Sequence, residues 1–382
     1  LILSCVWCII RNLNKFYHTM NYSDIKKIIE NFFSPKLRNK NAFKSIANQL
    51  FIADVGSTGG LSNRWNLVES LTKTFSFDPD LRAQNIENEK NKVFPFALWS
   101  KEQDLTINLT EFPDASSIYE LNEKFLKNFL NHECHRVISK SNIESKPLDA
   151  IELNNDDIDF LKIDTEGAEL EILKGSKKYL GKSILGLELE VQFVHRTIGS
   201  PMFSDIDRFL RPLGYQLMTL HKQSWIRNNN IWNINSNPQV IWADAVYIMN
   251  EENLINKISE IDKNSREKTI LKLMAISLVY GFYDYCISIL YKLEKNNLLV
   301  NDLKYYTNIL KSNVRSNLFI ISLNFLRFIF SLILILFVLF LWTKRRSVFS
   351  FFKSSTATLV YSLYAIFSRG GPNNVAVNDF IK

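Results

Sequence analysis

Cysteine is scarce in this sequence. The four present, Cys5, Cys8, Cys134 and Cys286, are too few and too dispersed for a disulfide framework, which fits a reducing compartment. Also missing are an arginine-rich arm and any basic stripe interleaved with aromatics, so nucleic acid is not an expected partner. The opening run LILSCVWCII is apolar, but it has neither a basic n-region nor a small-residue cleavage site, which argues against a signal peptide. The sequence reads best with its start at Met20 and residues 1–19 as an upstream extension of the reading frame, so the Cys5–Cys8 spacing carries no redox meaning.

What is present is a chain of 382 residues, 46% of them hydrophobic, enough for one large domain with a sizeable core plus an appendage. The net charge of +7 is modest, and the basic residues are scattered except for Lys344, Arg345 and Arg346 beside a very apolar segment. That placement points to a membrane surface. From Asn48 to about Asn250, short apolar runs alternate with amphipathic stretches, the pattern of a mostly parallel sheet with crossover helices. Seven strands are expected, at 50–55, 74–78, 93–98, 158–164, 183–191, 215–220 and 241–249. Between the third and fourth, DLTINLTEFPDASSIYE alternates like an edge hairpin before a polar loop. A long insertion of this kind is often a functional lid.

The domain division follows. Residues 1–47 read as an N-terminal extension and helical lead-in, 48–250 as the sheet domain, and 251–315 as a helical appendage, with Leu254, Ile258, Ile261 and the run LKLMAISLVYGFYDYCISILYKLEK at helical spacing. Residues 316–343 are expected to form a transmembrane helix. Their core NLFIISLNFLRFIFSLILILFVLFLW (317–342) exceeds the roughly 20 apolar residues a span needs, and Arg327 is near enough to one end to snorkel. The basic tail 344–382 holds a weaker apolar stretch, 348–367, which lies on the membrane or returns across it. Lys and Arg are similarly frequent on both flanks of the span, so charge does not fix the topology.

The first strand ends in DVGSTGG, placing Asp54, Gly56, Gly59 and Gly60 at the carboxyl end of the sheet, where open α/β sheets bind ligands. A dinucleotide fingerprint starting at Gly56 would need glycines where Thr58 and Leu61 stand, and no Lys-Ser/Thr pair completes a P-loop. A glycine turn without a pyrophosphate cradle remains, as expected for a nucleoside lacking phosphates. Asp78, 22 positions beyond Gly56 at the end of the second strand, stands where an acid accepts hydrogen bonds from ribose hydroxyls. Together these features point to S-adenosyl-L-methionine as the ligand.

The segment DFLKIDTEGAELEILKGS, with PLDAIEL (147–153), DVGSTGGLSNRW (54–65), ASSIYELN (115–122) and LELEVQF, resembles the FkbM-type family of S-adenosyl-L-methionine-dependent methyltransferases over roughly residues 48–250. The KID-x-EGAE-x-x-x-LKG core is the specific part of the resemblance. The glycine turn departs from the common form, with Ser57 and Thr58 after its first glycine. The resemblance implies a Rossmann-like, seven-stranded methyltransferase sheet and O-methylation, commonly of sugar or polyketide hydroxyls.

The carboxylates then divide by place. Glu169 and Glu171 fall in the first turns of the helix after the fourth strand, where acids complement its dipole, and read as structural. Asp164 and Glu166 face the crevice, Asp164 as base or metal ligand and Glu166 as a functional acid or a helix cap. His195 and His221, after the fifth and sixth strands, are further candidate bases. His132, Cys134 and His135 look like half a metal site with no second half, so no metal is expected. The function read from the sequence is transfer of a methyl group to a hydroxyl of a sugar, glycan or lipid-linked saccharide. The membrane anchor would be residues 317–342, single-pass or hairpin, with the catalytic domain on the cytoplasmic side. The rivals are a nucleotide-sugar or NAD-dependent oxidoreductase and a non-catalytic membrane scaffold.

Overall fold

The computed structural model describes residues 37–80, 87–129, 135–153, 157–228 and 237–313. Ten strands lie among them: β1 (Leu50–Val55), β2 (Thr72–Phe77), β3 (Asn91–Phe94), β4 (Ala97–Leu98), β5 (Gln103–Thr110), β6 (Val137–Lys146), β7 (Phe160–Ile163), β8 (Gly186–Gln192), β9 (Tyr215–Trp225) and β10 (Gln239–Met249). Seven of them form one mixed sheet in the order β3-β2-β1-β7-β8-β10-β9. The first five in that order run parallel, and β10 is antiparallel to both β8 and β9. The central strands β1 and β8 are buried along their whole lengths, as a sheet covered on both faces requires.

The apolar run at 93–98 does not make one strand. It divides at Pro95, which has no N–H to give a ladder. β3 stays in the main sheet, while β4 joins a second sheet ordered β4-β6-β5. β5 meets its own downstream chain in a single antiparallel bridge, Asn108 opposite Ser117, and its main partner is β6, with which it pairs antiparallel, Gln103 opposite Ser145.

The helices are α1 (Glu123–Leu126), α2 (Glu169–Lys174), α3 (Phe203–Leu210), α4 (Glu251–Glu260), α5 (Lys263–Tyr280), α6 (Tyr283–Lys295) and α7 (Leu303–Asn313). α2 and α3 are the crossovers after β7 and β8. The β1–β2 connection, by contrast, holds only a 3-10 turn at Asn63–Leu67. The sheet face left bare there is covered by Trp65 and the C-terminal helix α5: the rings of Trp65, Phe160 and Tyr280 pack at 4.9, 5.9 and 5.5 Å between centroids. Asn250 caps α4 by accepting from the Asn253 amide at 2.9 Å, and Asp262 caps α5 through the amides of Asn264 and Ser265. Leu271, Met274 and Leu278 of α5 and Ile289 of α6 belong to the same buried cluster as Ile52 and Phe160.

One ion pair fastens this arrangement. Asp159, just ahead of β7, accepts from the Phe51 amide at 2.9 Å and from Lys272 Nζ of α5 at 2.8 Å. Burial pushes its carboxyl up to about 6 despite the opposing lysine. The residues read as a transmembrane helix (316–343) and a basic tail (344–382), together with Met20, Cys5, Cys8, His132 and Cys134, lie outside the described residues. Among the described residues no helix is long and apolar enough to cross a membrane.

Replacing Lys272 with methionine leaves Asp159 buried without its cation, a change of the kind that costs roughly 3–5 kcal/mol. Urea unfolding should show a loss of that order, and Asp159→Asn in the same background should recover part of it.

Candidate functional site

The carboxyl ends of β1, β2 and β7 converge on one cavity of about 150 Å³. The approach is close. The Asp164 amide donates to Val55 O and the Gly56 amide to Phe77 O, each at 2.9 Å, and a Cβ built on Gly56 would lie 1.8 Å from the Asp164 carbonyl oxygen. Gly56 has a φ of 71°, and Gly59 and Gly60 follow at 73° and 74°. Left-handed backbone of this kind favours glycine.

Gly56, Asp78, Asp164 and Glu166 all line the cavity. Asp78 is 5% exposed and accepts from Thr58 Oγ1 at 3.2 Å and from the Asp80 amide at 2.9 Å. Burial raises its pKa, and those hydrogen bonds work the other way. Ile107 and Ile143, from β5 and β6, form part of the apolar wall, so the inserted sheet closes the cavity from above. The five ionisable groups in the lining, Asp78, Asp80, Asp114, Asp164 and Glu166, are all acids.

The turn after β7 is built by its own residues. Glu169, 2% exposed, accepts from the Thr165 amide and hydroxyl at 3.0 Å and from the Gly167 amide at 3.2 Å. The acid that ties this turn is therefore Glu169, not Glu166. Glu166 has a φ of 55°, its carbonyl receives Ser117 Oγ at 2.7 Å, and its carboxylate meets the buried guanidinium of Arg196 at 2.8 Å. Glu190 contacts the same guanidinium. Burial pushes Glu166 up to about 7 against the pull of Arg196, and Glu190 is raised for the same reason.

Asp54 is fully buried and outside the cavity lining. It holds Lys162 Nζ at 3.1 Å, and that ammonium also faces Asp164 at 3.9 Å. Burial opposes the charge on Lys162, but Asp54, Asp164 and Glu188 outweigh it and hold the pKa above that of an ordinary lysine. His195 is exposed, its carbonyl bound by Asn122 at 2.9 Å, and does not line the cavity. Neither does His221, whose Nε2 receives the Arg64 guanidinium at 3.3 Å. Partial burial, then Arg64, lowers the imidazole pKa. Gly59 and Gly60 shape the turn behind Gly56 without lining the cavity.

Sequence reasoning passed over Lys162, Glu188, Glu190, Arg196 and Asp244. For the strand residues a signal existed: a charged residue at every second position of FLKID and GLELEVQ marks one face of a buried strand as polar. Among the described residues no group of three His, Cys, Asp or Glu is placed to hold a metal.

The resemblance read from the sequence is borne out. The family described as the Methyltransferase FkbM domain matches residues 67–217, a range that takes in Asp78 and the KIDTEGAE segment. No curated protein matches the chain. Among solved structures, an FkbM methyltransferase from Methylobacillus flagellatus KT is 16% identical, with a TM-score of 0.32 over 53% of this chain. The match spans 44% of that protein, less than half its length. A Streptococcus pneumoniae protein proposed as a tRNA (m1A22) methyltransferase, solved with S-adenosyl-L-methionine, is 13% identical, with a TM-score of 0.23 over 62% of this chain and 95% of its own. The same protein solved without that ligand is 15% identical at a TM-score of 0.23, over 63% and 97% of the two chains.

Gly56→Ala should destabilise the fold by well over 1 kcal/mol, because both a left-handed φ and a backbone collision oppose the methyl. A methyl on Gly59 meets nothing within 4 Å, so Gly59→Ala should cost only the backbone strain of about 1–2 kcal/mol. Thermal denaturation of the two variants side by side checks the order.

Proposed function

We propose that the chain is an S-adenosyl-L-methionine-dependent methyltransferase that methylates a hydroxyl of a sugar, glycan or lipid-linked saccharide. The observation that carries this reading is the charge of the cavity. Among the described residues all of its ionisable lining groups are acids, an environment that favours a cationic sulfonium nucleoside. It opposes the pyrophosphate of a dinucleotide, which a helix N-terminus or a basic group would otherwise hold. The fit extends to shape. Asp78 presents carboxylate oxygens to hydroxyl donors, Gly56 lets backbone approach closely, and Ile107 and Ile143 offer an apolar wall.

When bound, the sulfonium supplies an electrophilic methyl group. The protein's tasks are to hold the acceptor oxygen in line with it and to keep water from competing. Asp164 stands at the mouth of the cavity with 41% of its side chain exposed, beside the Lys162 ammonium. It is placed to accept a hydrogen bond from the incoming hydroxyl. Glu166, fixed by Arg196, closes the donor side. Attachment to a membrane through residues 317–342, with the catalytic domain facing the cytoplasm, belongs to the same proposal. The attachment rests on the apolar run and the Lys344–Arg346 cluster that follows it, and the orientation on the cytoplasm being where the methyl donor is made, since charge does not fix the topology.

Asp78→Ala should weaken S-adenosyl-L-methionine binding by roughly 1–3 kcal/mol through lost hydrogen bonds, read by titration calorimetry. Unchanged affinity removes Asp78 from the donor site, and preference for NAD over the sulfonium overturns the proposal. Asp164→Asn should lower turnover more than donor affinity, as radiolabelled methyl transfer to membrane glycans would show.

A further inference from the structure

Beyond Asp164, on one face of the sheet, polar side chains form a second row that passes beneath Arg64. Strand register defines it. Lys162 pairs with Asp54 on one side and Glu188 on the other, and one pleat further along Asp244 is opposite both Glu190 and His221. The side chains of β1, β7, β8, β10 and β9 at these positions therefore share one face of the sheet. Arg64, from the β1–β2 connection, reaches over this row to Glu188 at 3.7 Å and His221 at 3.3 Å. Tyr280, at the end of α5, donates its hydroxyl to Glu188. Solvent reaches the row at Asp164, 41% exposed in its side chain, and at Arg64, 30% exposed.

Two features point to a ligand rather than to a self-contained charge network. Asp54, fully buried, has an Oδ2 with no hydrogen-bond partner, and so has Oε1 of Gln192, which is 2% exposed and one pleat beyond Glu190 on the same face. Both orphan atoms are acceptors. Buried acceptors left without donors are costly, and a ligand rich in hydroxyls is what satisfies them. The charge balance is the second feature: the carboxylates of Asp54, Asp164, Glu188 and Asp244 outnumber the two cations that face them, Lys162 and Arg64. An anionic ligand is repelled.

We propose that this polar row lines an acceptor crevice, that it takes an uncharged polyhydroxylated molecule such as a non-phosphorylated sugar, and that Asp244 receives the proton of the hydroxyl being methylated. The step balances. The hydroxyl oxygen forms a bond to the methyl carbon, the carbon–sulfur bond breaks with its electron pair retained on sulfur, and the proton passes to the Asp244 carboxylate. Asp244 suits the role better than its neighbours. Glu166 and Glu190 are held by Arg196 and Glu188 by Tyr280 and Arg64, while no donor bonds the Asp244 carboxyl. Burial first, then Glu188 and Asp164, raise it to about 7 against Arg64 and Lys162, close to the pH at which a general base works best.

This inference rests on the methyltransferase reading, and the test separates the two. The full-length protein is titrated with S-adenosyl-L-methionine. With S-adenosylhomocysteine present, it is then titrated with the methyl glycosides of glucose, galactose and mannose and with the corresponding hexose 6-phosphates. At least one glycoside should bind, and its 6-phosphate at least tenfold more weakly. Methyl transfer to that glycoside should rise with pH through about 7 and level off, because the base acts when deprotonated. In Asp244→Asn, transfer should drop about 100-fold and lose that pH rise, with donor affinity within twofold of the parent showing that the fold is intact. Asp244→Glu should restore part of the rate. Transfer by Asp244→Asn within threefold of the parent with the same pH profile overturns the assignment, as does preference for a 6-phosphate. Donor binding without any glycoside binding sinks the acceptor subsite alone; absence of donor binding removes the underlying reading as well.

Discussion

The buried ammonium of Lys162 is the interaction on which the site depends. A lysine in the interior of a sheet is costly unless carboxylates surround it, and here they come from separate strands: Asp54 from β1, Asp164 from the end of β7 and Glu188 from β8. The cation thus fixes three strands in register through charge as well as through backbone. It also sets the polarity of both hollows that meet at Asp164. Without it, Asp54 and Glu188 would bring uncompensated negative charge into the core. With it, the sheet tolerates a row of acids at its carboxyl edge.

The C-terminal helices complete the same construction. In a doubly wound sheet the helix between the first two strands normally shields one face, but the sixteen or so residues between β1 and β2 include no α-helix. α5 supplies the missing cover from the far end of the chain, through Tyr280 against Phe160 and Trp65 and through Lys272 against Asp159. Because Tyr280 also touches Glu188, the packing of α5 and the polar row are mechanically joined. A segment that looks like an appendage by sequence position is part of the core by burial.

How much of this the sequence disclosed follows from how local each determinant is. The seven strands of the main sheet were readable because each leaves a short apolar run, densest in the buried parallel strands β1 and β8, and Gly56, Asp78, Asp164 and Glu166 were readable because they stand at the ends of those runs. β6 was not. Its VISKSNIESK is mostly exposed and carries no apolar alternation, so only its pairing with β5 reveals it. The division at Pro95 was available in principle from the missing N–H, but the flanking phenylalanines and Ala97–Leu98 masked it. Arg196 and Asp244 were invisible for another reason: each acquires its meaning only from strands far away in the chain, which no spacing records.

The two hollows differ in a way that fits their proposed occupants. The cavity at the ends of β1, β2 and β7 has, among the described residues, acids and no bases in its lining, matched to the cation proposed to bind there. The second crevice is also acidic but is bridged by Arg64, so its field is weaker, and its orphan atoms, Asp54 Oδ2 and Gln192 Oε1, demand donors rather than charge. In the proposed reaction the positive charge on the donor side would disappear and a proton would become available on the acceptor side. Asp164, with Lys162 beneath it, lies between these changes and is held by a cation that does not titrate in the working range. A carboxyl further along the row, free of hydrogen-bond donors and lifted by its acidic neighbours, is where that proton is most stable. On that proposal the arrangement separates the group that positions the hydroxyl from the group that takes its proton, a separation that one carboxylate pinned by a lysine would not permit.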